Sequence, residues 1–359
     1  MSPVQRRLER LRRRLAEESL DGLLVTNLTN VHYLSNFTGS AGTCLILMDS
    51  AYFFSDGRYS TQSKEQVEGM EILIGADPHL EIMKKSDVVK NGWSLGFEAN
   101  HLTVSELDKL SDLFPRCTWE PTSLMVEAIA AVKDEAELRA IRTAVEITDE
   151  VFDQIVPELR LGVQEREIAA KLSYMIKILG ADGDAFDPIV AGGPNSALPH
   201  AVPSHREFEE GDFVVLDFGA RYRGYHADMT RTVVMGTASD KQREVYEVVR
   251  EAQQRGWEAA KAGMTCKELD SIARDCITKN GYGDRFVHST GHGLGLEIHT
   301  MPRLSQLSED GLLENYVVTI EPGIYLPDWG GVRIEDDVII KKEGCEVLNK
   351  STRDLLVLR

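Results

Sequence analysis

The sequence has no long uninterrupted apolar run and no cysteine pair spaced for metal binding. Its five cysteines are scattered, with no CxxC pair, which argues against thiolate ligands and fits a reducing compartment. Basic residues are outnumbered, 40 against 58 acids, for a net charge of −18, whereas nucleic-acid-binding surfaces are usually basic. The charged stretch from Gln5 to Glu18 is typical of a surface amphipathic helix rather than a signal peptide. We therefore expect a soluble cytoplasmic protein without nucleic-acid or membrane partners.

The length of 359 residues predicts two domains. Helical and strand patterns alternate through residues 1–125, as in a compact α/β domain. The pattern breaks near Pro121, and residues 126–359 contain two similar runs of helices and antiparallel hairpins. The predicted fold class is therefore α/β (α+β), with an N-terminal α/β domain over 1–125 and a duplicated second domain over 126–359.

Two hairpins that each carry two acids dominate the second half. The apolar strand Phe213–Phe218 contains Asp217, and Asp228 opens the next strand after a turn. About a hundred residues later another apolar strand ends at Glu321, and Glu335 opens its successor. The spacings are 11 residues (217 to 228) and 14 residues (321 to 335). This weak internal repeat predicts that four carboxylates meet in one pocket.

Four adjacent carboxylates cannot all ionise unaided, and two divalent cations would neutralise them. Carboxylates with one imidazole suit Mn, Co, Fe, Mg or Zn. We choose His292 as the imidazole, because its flanking glycines allow close backbone approach. Two ions about 3.5–4 Å apart would share a bridging hydroxide that attacks an amide or a phosphate ester. The other histidines and Arg333 would bind substrate or stabilise an oxyanion.

Other interpretations of the single residues are more common. An aspartate such as Asp217 in a strand is usually a turn or edge residue, and His200 in a polar loop is more often solvated than catalytic. The Gly-rich segment around His292 lacks the strand-to-helix context of a dinucleotide-binding loop. The combination of two acid hairpins with a His/Gly segment between them favours the metal site.

These motifs resemble the pita-bread metallopeptidases, a family that includes methionine aminopeptidase, prolidase and aminopeptidase P. The matching stretches of the second half are Leu216–Gly219, Asp228–Thr232, His288–Gly295, Glu321–Gly323 and Val332–Asp336. In the first half, Phe37–Gly42 and Ser55–Tyr59 resemble the creatinase-type N-terminal domain of the proline-specific branch. The resemblance covers nearly the whole chain and implies a creatinase-type domain followed by a pita-bread catalytic domain.

The resemblance also implies residue roles. Asp217, Asp228, His292, Glu321 and Glu335 would hold two divalent ions, with Mn favoured and Co or Zn as alternatives. Glu321 would also shuttle a proton. The substrate-binding residues implied are His200, His288, His299 and Arg333, of which His200 and His299 would act at the scissile carbonyl and His288 would line a proline pocket.

The implied reaction is hydrolysis of the bond between an N-terminal residue and a following proline by a homodimeric enzyme. We expect an aminopeptidase P-like enzyme acting on peptides with proline at the second position; an Xaa-Pro dipeptidase (prolidase) is the alternative. A non-catalytic peptide-binding module on the same fold is the alternative from another class, although such modules typically lose metal ligands. One departure from the family pattern is Thr300, where many relatives carry an acid after the residue that matches His299.

Overall fold

Side chains that cap the first turn determine where several of the helices begin. In the computed structural model, which describes residues 1–359, the carboxylate of Asp134 accepts a hydrogen bond from the Glu137 backbone N–H, 3.0 Å away. The Glu137 carboxylate in turn accepts one from the Asp134 N–H at 2.9 Å. Thr265 and Glu268 form the same reciprocal pair. Both capping boxes match the sequence pattern and satisfy N–H groups that lack intrahelical partners.

Contacts divide the chain into two compact units, Met1–Ala130 and Ala131–Arg359. The first unit contains a six-stranded sheet with the spatial order β4-β3-β2-β1-β5-β6. Its strands are β1 Gly22–Val25, β2 Thr43–Leu47, β3 Ala51–Asp56, β4 Glu71–Gly75, β5 Ser94–Glu98 and β6 Thr118–Thr122. Its helices are α1 Pro3–Glu17, α2 Leu28–Ser35, α3 Ser60–Gln66, α4 His79–Lys85, α5 Val104–Leu113 and α6 Met125–Ala131, the last of which ends at the first residue of the second unit. Only β2 runs antiparallel to its neighbours, so the predicted α/β arrangement is confirmed.

The second unit contains four helices and four small sheets. The helices are α7 Glu135–Ile155, α8 Glu165–Ile178, α9 Asp240–Ala259 and α10 Cys266–Lys279. The strands are β7 Gly183–Asp184, β8 Ile189–Gly192, β9 Phe213–Phe218, β10 Ala220–Tyr222, β11 Tyr225–His226, β12 Met229–Met235, β13 Gly291–Gly293, β14 Thr300–Leu304, β15 Val317–Ile320, β16 Gly323–Leu326, β17 Gly330–Arg333, β18 Asp336–Lys341, β19 Gly344–Val347 and β20 Val357–Leu358. The sheet orders are β11-β10-β7, β20-β12-β9-β8, β14-β13-β15-β18-β19 and β16-β17. No helix of either unit is both long enough and apolar enough to cross a bilayer.

Both acid hairpins have the same layout, which confirms the internal repeat. In the first hairpin (residues 213–235), β9 and β12 pair antiparallel with Asp217 opposite Thr230. In the second (residues 317–341), β15 and β18 pair antiparallel with Ile320 opposite Asp336. A short antiparallel pair lies between the long strands in each, β10 with β11 and β16 with β17. Asp228 and Glu335 thus lie immediately before β12 and β18, whereas Asp217 lies within β9 and Glu321 directly follows β15.

The direction of the Asp217 side chain follows from strand alternation. Val214, Leu216 and Phe218 pack in one core cluster with α7 and α8, whereas Phe213 belongs to another cluster with α9 and α10. Successive side chains of a strand point to opposite faces. Asp217 is thus directed away from the α7–α8 side. Because every residue of β9 is buried, its carboxylate needs a partner there.

Candidate functional site

His292 reaches the acidic cluster because both of its neighbours are glycines. A Cβ atom at Gly291 would lie 2.0 Å from the Thr319 carbonyl oxygen, and one at Gly293 would lie 2.1 Å from that of Met301. Such separations are far below van der Waals contact, so only glycine permits this packing of β13. The expected close backbone approach around the imidazole is therefore found.

Three of the four hairpin acids are almost fully buried with incomplete hydrogen bonding. Asp217 is 7% exposed, Asp228 4% and Glu335 1%. Oδ1 of each aspartate and Oε1 of Glu335 have no hydrogen-bond partner. A buried carboxylate oxygen without a partner is costly. Three such atoms in one cluster indicate that the site is built for cations.

The donor atoms are close enough together to share ions. Asp228, His292 and Glu335 each offer one ligand atom within 4.8 Å of the others. The Nε2 atom of His292 lies 3.6 Å from Asp228 Oδ2 and 3.4 Å from Glu321 Oε1. Metal–ligand bonds of about 2.0–2.6 Å place atoms that share one ion within about 5 Å of each other. The donor set of carboxylates and one imidazole, without thiolate, fits hard or borderline divalent ions.

The protonation states of the cluster agree with this interpretation. Burial and the nearby Asp217 carboxylate raise the pKa of Glu321 to about 8. Burial and neighbouring carboxylates also raise the pKa values of Asp228 and Glu335 well above their ordinary range. Burial lowers the pKa of His292 to about 4, so its imidazole is neutral and available as a ligand near pH 7. Positive charge in the cluster would favour the ionised carboxylates.

Arg333 and Thr230 connect acids of the two hairpins. Arg333 Nη2 donates to Asp217 Oδ2 at 2.5 Å, and its Nη1 donates to the Tyr325 hydroxyl at 2.8 Å. Its Nε donates to Thr230 Oγ1 at 2.9 Å, and this hydroxyl donates to Glu335 Oε2 at 2.5 Å. One oxygen each of Asp217 and Glu335 is thus held, and the other is left for a cation.

A cavity of about 470 Å³ opens over the cluster. All of the predicted site residues line it: His200, Asp217, Asp228, His288, His292, His299, Glu321, Arg333 and Glu335. The ring centroids of His299 and His292 lie 4.3 Å apart, and His288 Nε2 lies 2.9 Å from the Tyr325 hydroxyl. Burial lowers the pKa of His288 to about 4. The side chains of His200 and His299 are more exposed and lie at the cavity wall.

The sequence analysis did not single out several residues of this site. Arg303 lines the cavity and pairs with His292 across β13 and β14. The one feature of the sequence that could have pointed to Arg303 is its position four residues after His299. Thr230 lies in the first acid hairpin and Tyr325 in the second. A threonine or a tyrosine in a strand is common in a protein core, so residue type alone did not mark either one as part of the site. Thr300, the departure from the family pattern, also lines the cavity, and its hydroxyl donates to the Met301 carbonyl at 3.2 Å.

Known protein families match both halves of the chain. Residues 139–342 match the metallopeptidase family M24, and residues 7–132 match the creatinase/prolidase N-terminal domain. This chain belongs to metallopeptidase family M24. The expected pita-bread fold with a creatinase-type N-terminal domain is therefore confirmed, and the protein is a metal-dependent peptidase.

Similar proteins extend over nearly the whole chain. The Xaa-Pro dipeptidase of Pyrococcus furiosus is 42% identical over 98% of this chain and 100% of its own. The structure of an Xaa-Pro dipeptidase from Bacillus anthracis is 43% identical, with a TM-score of 0.95 over 99% of this chain and 100% of that one. The structure of an X-Pro aminopeptidase from Thermotoga maritima is 40% identical, with a TM-score of 0.90 over 98% of this chain and 99% of that one.

Proposed function

We propose that this protein is a metal-dependent Xaa-Pro peptidase that hydrolyses the bond between an N-terminal residue and a following proline. The observation that carries the proposal is the set of three partnerless carboxylate oxygens, on Asp217, Asp228 and Glu335, facing a cavity lined with histidines. Relatives with full-length similarity are named Xaa-Pro dipeptidases or aminopeptidases, which supports proline specificity. The non-catalytic module is disfavoured, because the ligand set is intact.

We propose that two divalent ions bind to Asp217, Asp228, His292, Glu321 and Glu335, with Mn²⁺ favoured and Co²⁺ or Zn²⁺ as alternatives. When bound, such ions polarise a carbonyl and lower the pKa of water toward neutrality. The five side chains supply four negative charges, which match two divalent cations.

The remaining side chains would bind the peptide and move its protons. Glu321 is the candidate proton carrier, because its carboxylate lines the cavity beside the other proposed ligands. His200 and His299 would donate to the oxygen that becomes negative at the scissile carbonyl. His288 and the apolar side chains of Phe186 and Ile298 would form a wall against the proline ring.

Arg303 favours a dipeptide as the preferred substrate. It is exposed at the cavity wall and donates no hydrogen bond within the chain, so its guanidinium is free to pair with the carboxylate that follows proline in a dipeptide. Guanidinium–carboxylate pairs are bidentate and specific. A longer peptide carries an amide at this position and gains less. The dipeptidase is therefore our first candidate and the aminopeptidase the second.

The test compares an Xaa-Pro dipeptide with an Xaa-Pro-Yaa tripeptide on metal-stripped protein with added Mn²⁺. We expect hydrolysis only with metal and a higher kcat/KM for the dipeptide. Arg303→Met should lower kcat/KM for the dipeptide about tenfold, by loss of an ion pair worth about 1.4 kcal/mol, and affect the tripeptide less. If kcat/KM fell equally for the dipeptide and the tripeptide, Arg303 would not be the residue that recognises the dipeptide carboxylate. Activity that survives complete chelation, or that persists in Asp228→Asn, would contradict the metallopeptidase mechanism.

We also propose a homodimer and a cytoplasmic location, and a domain division near residue 125. The free thiols of all five cysteines support a reducing compartment, and the family resemblance supports the dimer. Sedimentation of the purified protein tests the oligomeric state. Limited proteolysis, read by mass spectrometry of the fragments, tests the division into residues 1–125 and 126–359.

A further inference from the structure

Thr230 is a neutral residue that hydrogen-bonds to two charged groups of the site. One is the carboxylate of Glu335, and the other is the guanidinium of Arg333, which pairs with Asp217. The Thr230 side chain is 0% exposed. Its hydroxyl lies 2.5 Å from Glu335 Oε2 and 2.9 Å from Arg333 Nε. Arg333 in turn holds Asp217 Oδ2 at 2.5 Å. A chain of three hydrogen bonds therefore runs from Asp217 to Glu335, through Arg333 and Thr230.

When Glu335 is ionised, as it must be to hold a cation, the direction of each hydrogen bond in this chain is fixed. A guanidinium N–H can only donate, so the Thr230 oxygen accepts from Arg333 Nε. The hydroxyl has one proton, which is directed at Glu335 Oε2. Glu335 Oε1 remains without a partner, as does Asp217 Oδ1. The chain thus selects, on both acids, which oxygen is occupied by protein and which one is left for an ion.

We propose that Thr230 is a positioning residue for the metal centre: its hydroxyl orients Glu335 and Arg333 together, so that acids from both hairpins present their free oxygens to the ions. The inference rests on the proposed function, because it assumes that the cluster binds divalent ions. Thr230 touches neither substrate nor the reacting atoms. Hydrogen-bond partners that orient metal ligands typically contribute 10- to 100-fold to metal affinity.

A purely structural role is the competing explanation, and the chain offers a matched control for it. Thr232 lies two residues further along β12 and is 1% exposed. Its hydroxyl donates to the Arg333 carbonyl at 2.9 Å and accepts from the Arg333 backbone N–H at 3.2 Å. Both threonines therefore link the first hairpin to the second, but only Thr230 bonds to a carboxylate of the cluster.

The experiment measures Mn²⁺ affinity by calorimetry on metal-stripped wild type, Thr230→Val, Thr230→Ser and Thr232→Val, together with the melting temperature of each metal-free protein. We expect T230V to bind Mn²⁺ about 10- to 100-fold more weakly. T230S, which keeps the hydroxyl, should restore affinity close to wild type. T232V should lower the melting temperature at least as much as T230V but leave the affinity unchanged.

Equal affinities of T230V and wild type, or equal losses in T230V and T232V, would overturn the positioning role. If T230V does not fold, T230A against T232A gives the same comparison. Failure of the wild-type protein to bind Mn²⁺ or another divalent ion is a different result, because it would refute the proposed metal centre itself.

Discussion

Two buried Asp–Arg bridges cross between the hairpins, and they differ in one respect. Asp217 of the first hairpin pairs with Arg333 of the second, with 2.5 Å between the charged atoms. Asp336 of the second pairs with Arg231 of the first at 2.7 Å. All four side chains are buried. The bridges are thus similar in residue type, distance and burial.

The difference lies in what the second carboxylate oxygen contacts. Asp336 Oδ1 accepts from Arg231, and its Oδ2 accepts from Gln253 at 2.6 Å and Arg353 at 2.5 Å. Burial alone would raise the pKa of Asp336, but the charges of Arg231 and Arg353 outweigh it and hold the pKa below its ordinary value. Asp217 Oδ1 has no partner. Asp336, with both oxygens bonded, is therefore structural, whereas Asp217 keeps one oxygen for an ion beside the cavity.

The largest expected effect is on catalysis, from Asp217→Asn. This change removes one ligand charge, and we expect activity to fall about a thousandfold or more, because several kcal/mol of transition-state stabilisation depend on the ions. The metal-free protein should lose less stability than with Asp336→Asn. The buried guanidinium of Arg333 loses its ion pair with Asp217, but one of several mutually repelling carboxylates is removed and other acids stay near Arg333. Mn²⁺-dependent kcat/KM and the melting temperature of the stripped protein measure this. A large loss of stability with normal activity would reverse the assigned roles.

Asp336→Asn tests the structural bridge. It leaves the buried guanidinium of Arg231 and the half-buried guanidinium of Arg353 without their carboxylate, and we expect a loss of about 3–5 kcal/mol in the free energy of unfolding. Denaturant titration of the metal-free protein measures that loss. Metal affinity of the folded fraction should stay close to wild type. If D336N instead binds Mn²⁺ as weakly as D217N, the two bridges do not have separate roles.

Local features of the fold and the site could be predicted from the sequence. The capping boxes at Asp134 and Thr265, the buried strand around Asp217 and the glycines beside His292 all depend on neighbours within a few residues. Their physical cause is therefore visible in a short window of sequence. The four acids could also be grouped, because each stands at the end or start of a strand in a repeated pattern.

Contacts between the hairpins could not be predicted, because they depend on how distant segments dock. The hydrogen bond from Thr230 to Glu335 joins residues 105 positions apart, and Arg231 and Arg333 each meet an acid from the other hairpin. The sequence assigned Arg333 to the substrate site, but no local feature indicated that Arg231 pairs with Asp336 in the core. In the structure the two arginines differ in their partners. Asp336, which pairs with Arg231, has both carboxylate oxygens hydrogen-bonded, whereas Asp217, which pairs with Arg333, has one oxygen without a hydrogen bond.

The smallest expected effect is a difference in proton release when Mn²⁺ binds. The raised pKa of Glu321, about 8, means that below this pH the metal-free protein holds a proton that an ion must displace, because metal ligands bind deprotonated. Apparent affinity should rise with pH by about 1.36 kcal/mol per pH unit for each proton released, and the part of this rise that is due to Glu321 should level off above about pH 8. Asp336 should release no proton when Mn²⁺ binds, because its lowered pKa keeps it ionised in the metal-free protein.

Calorimetry at pH 6, 7 and 9, in paired buffers of different ionisation enthalpy, counts these protons. Glu321→Gln should release fewer protons than wild type at pH 6, whereas D336N should release the same number. If release in wild type does not change between pH 6 and 9, Glu321 does not titrate with the ions. A fall in D336N as large as in E321Q would mean that the fully bonded acid is coupled to the metal centre after all.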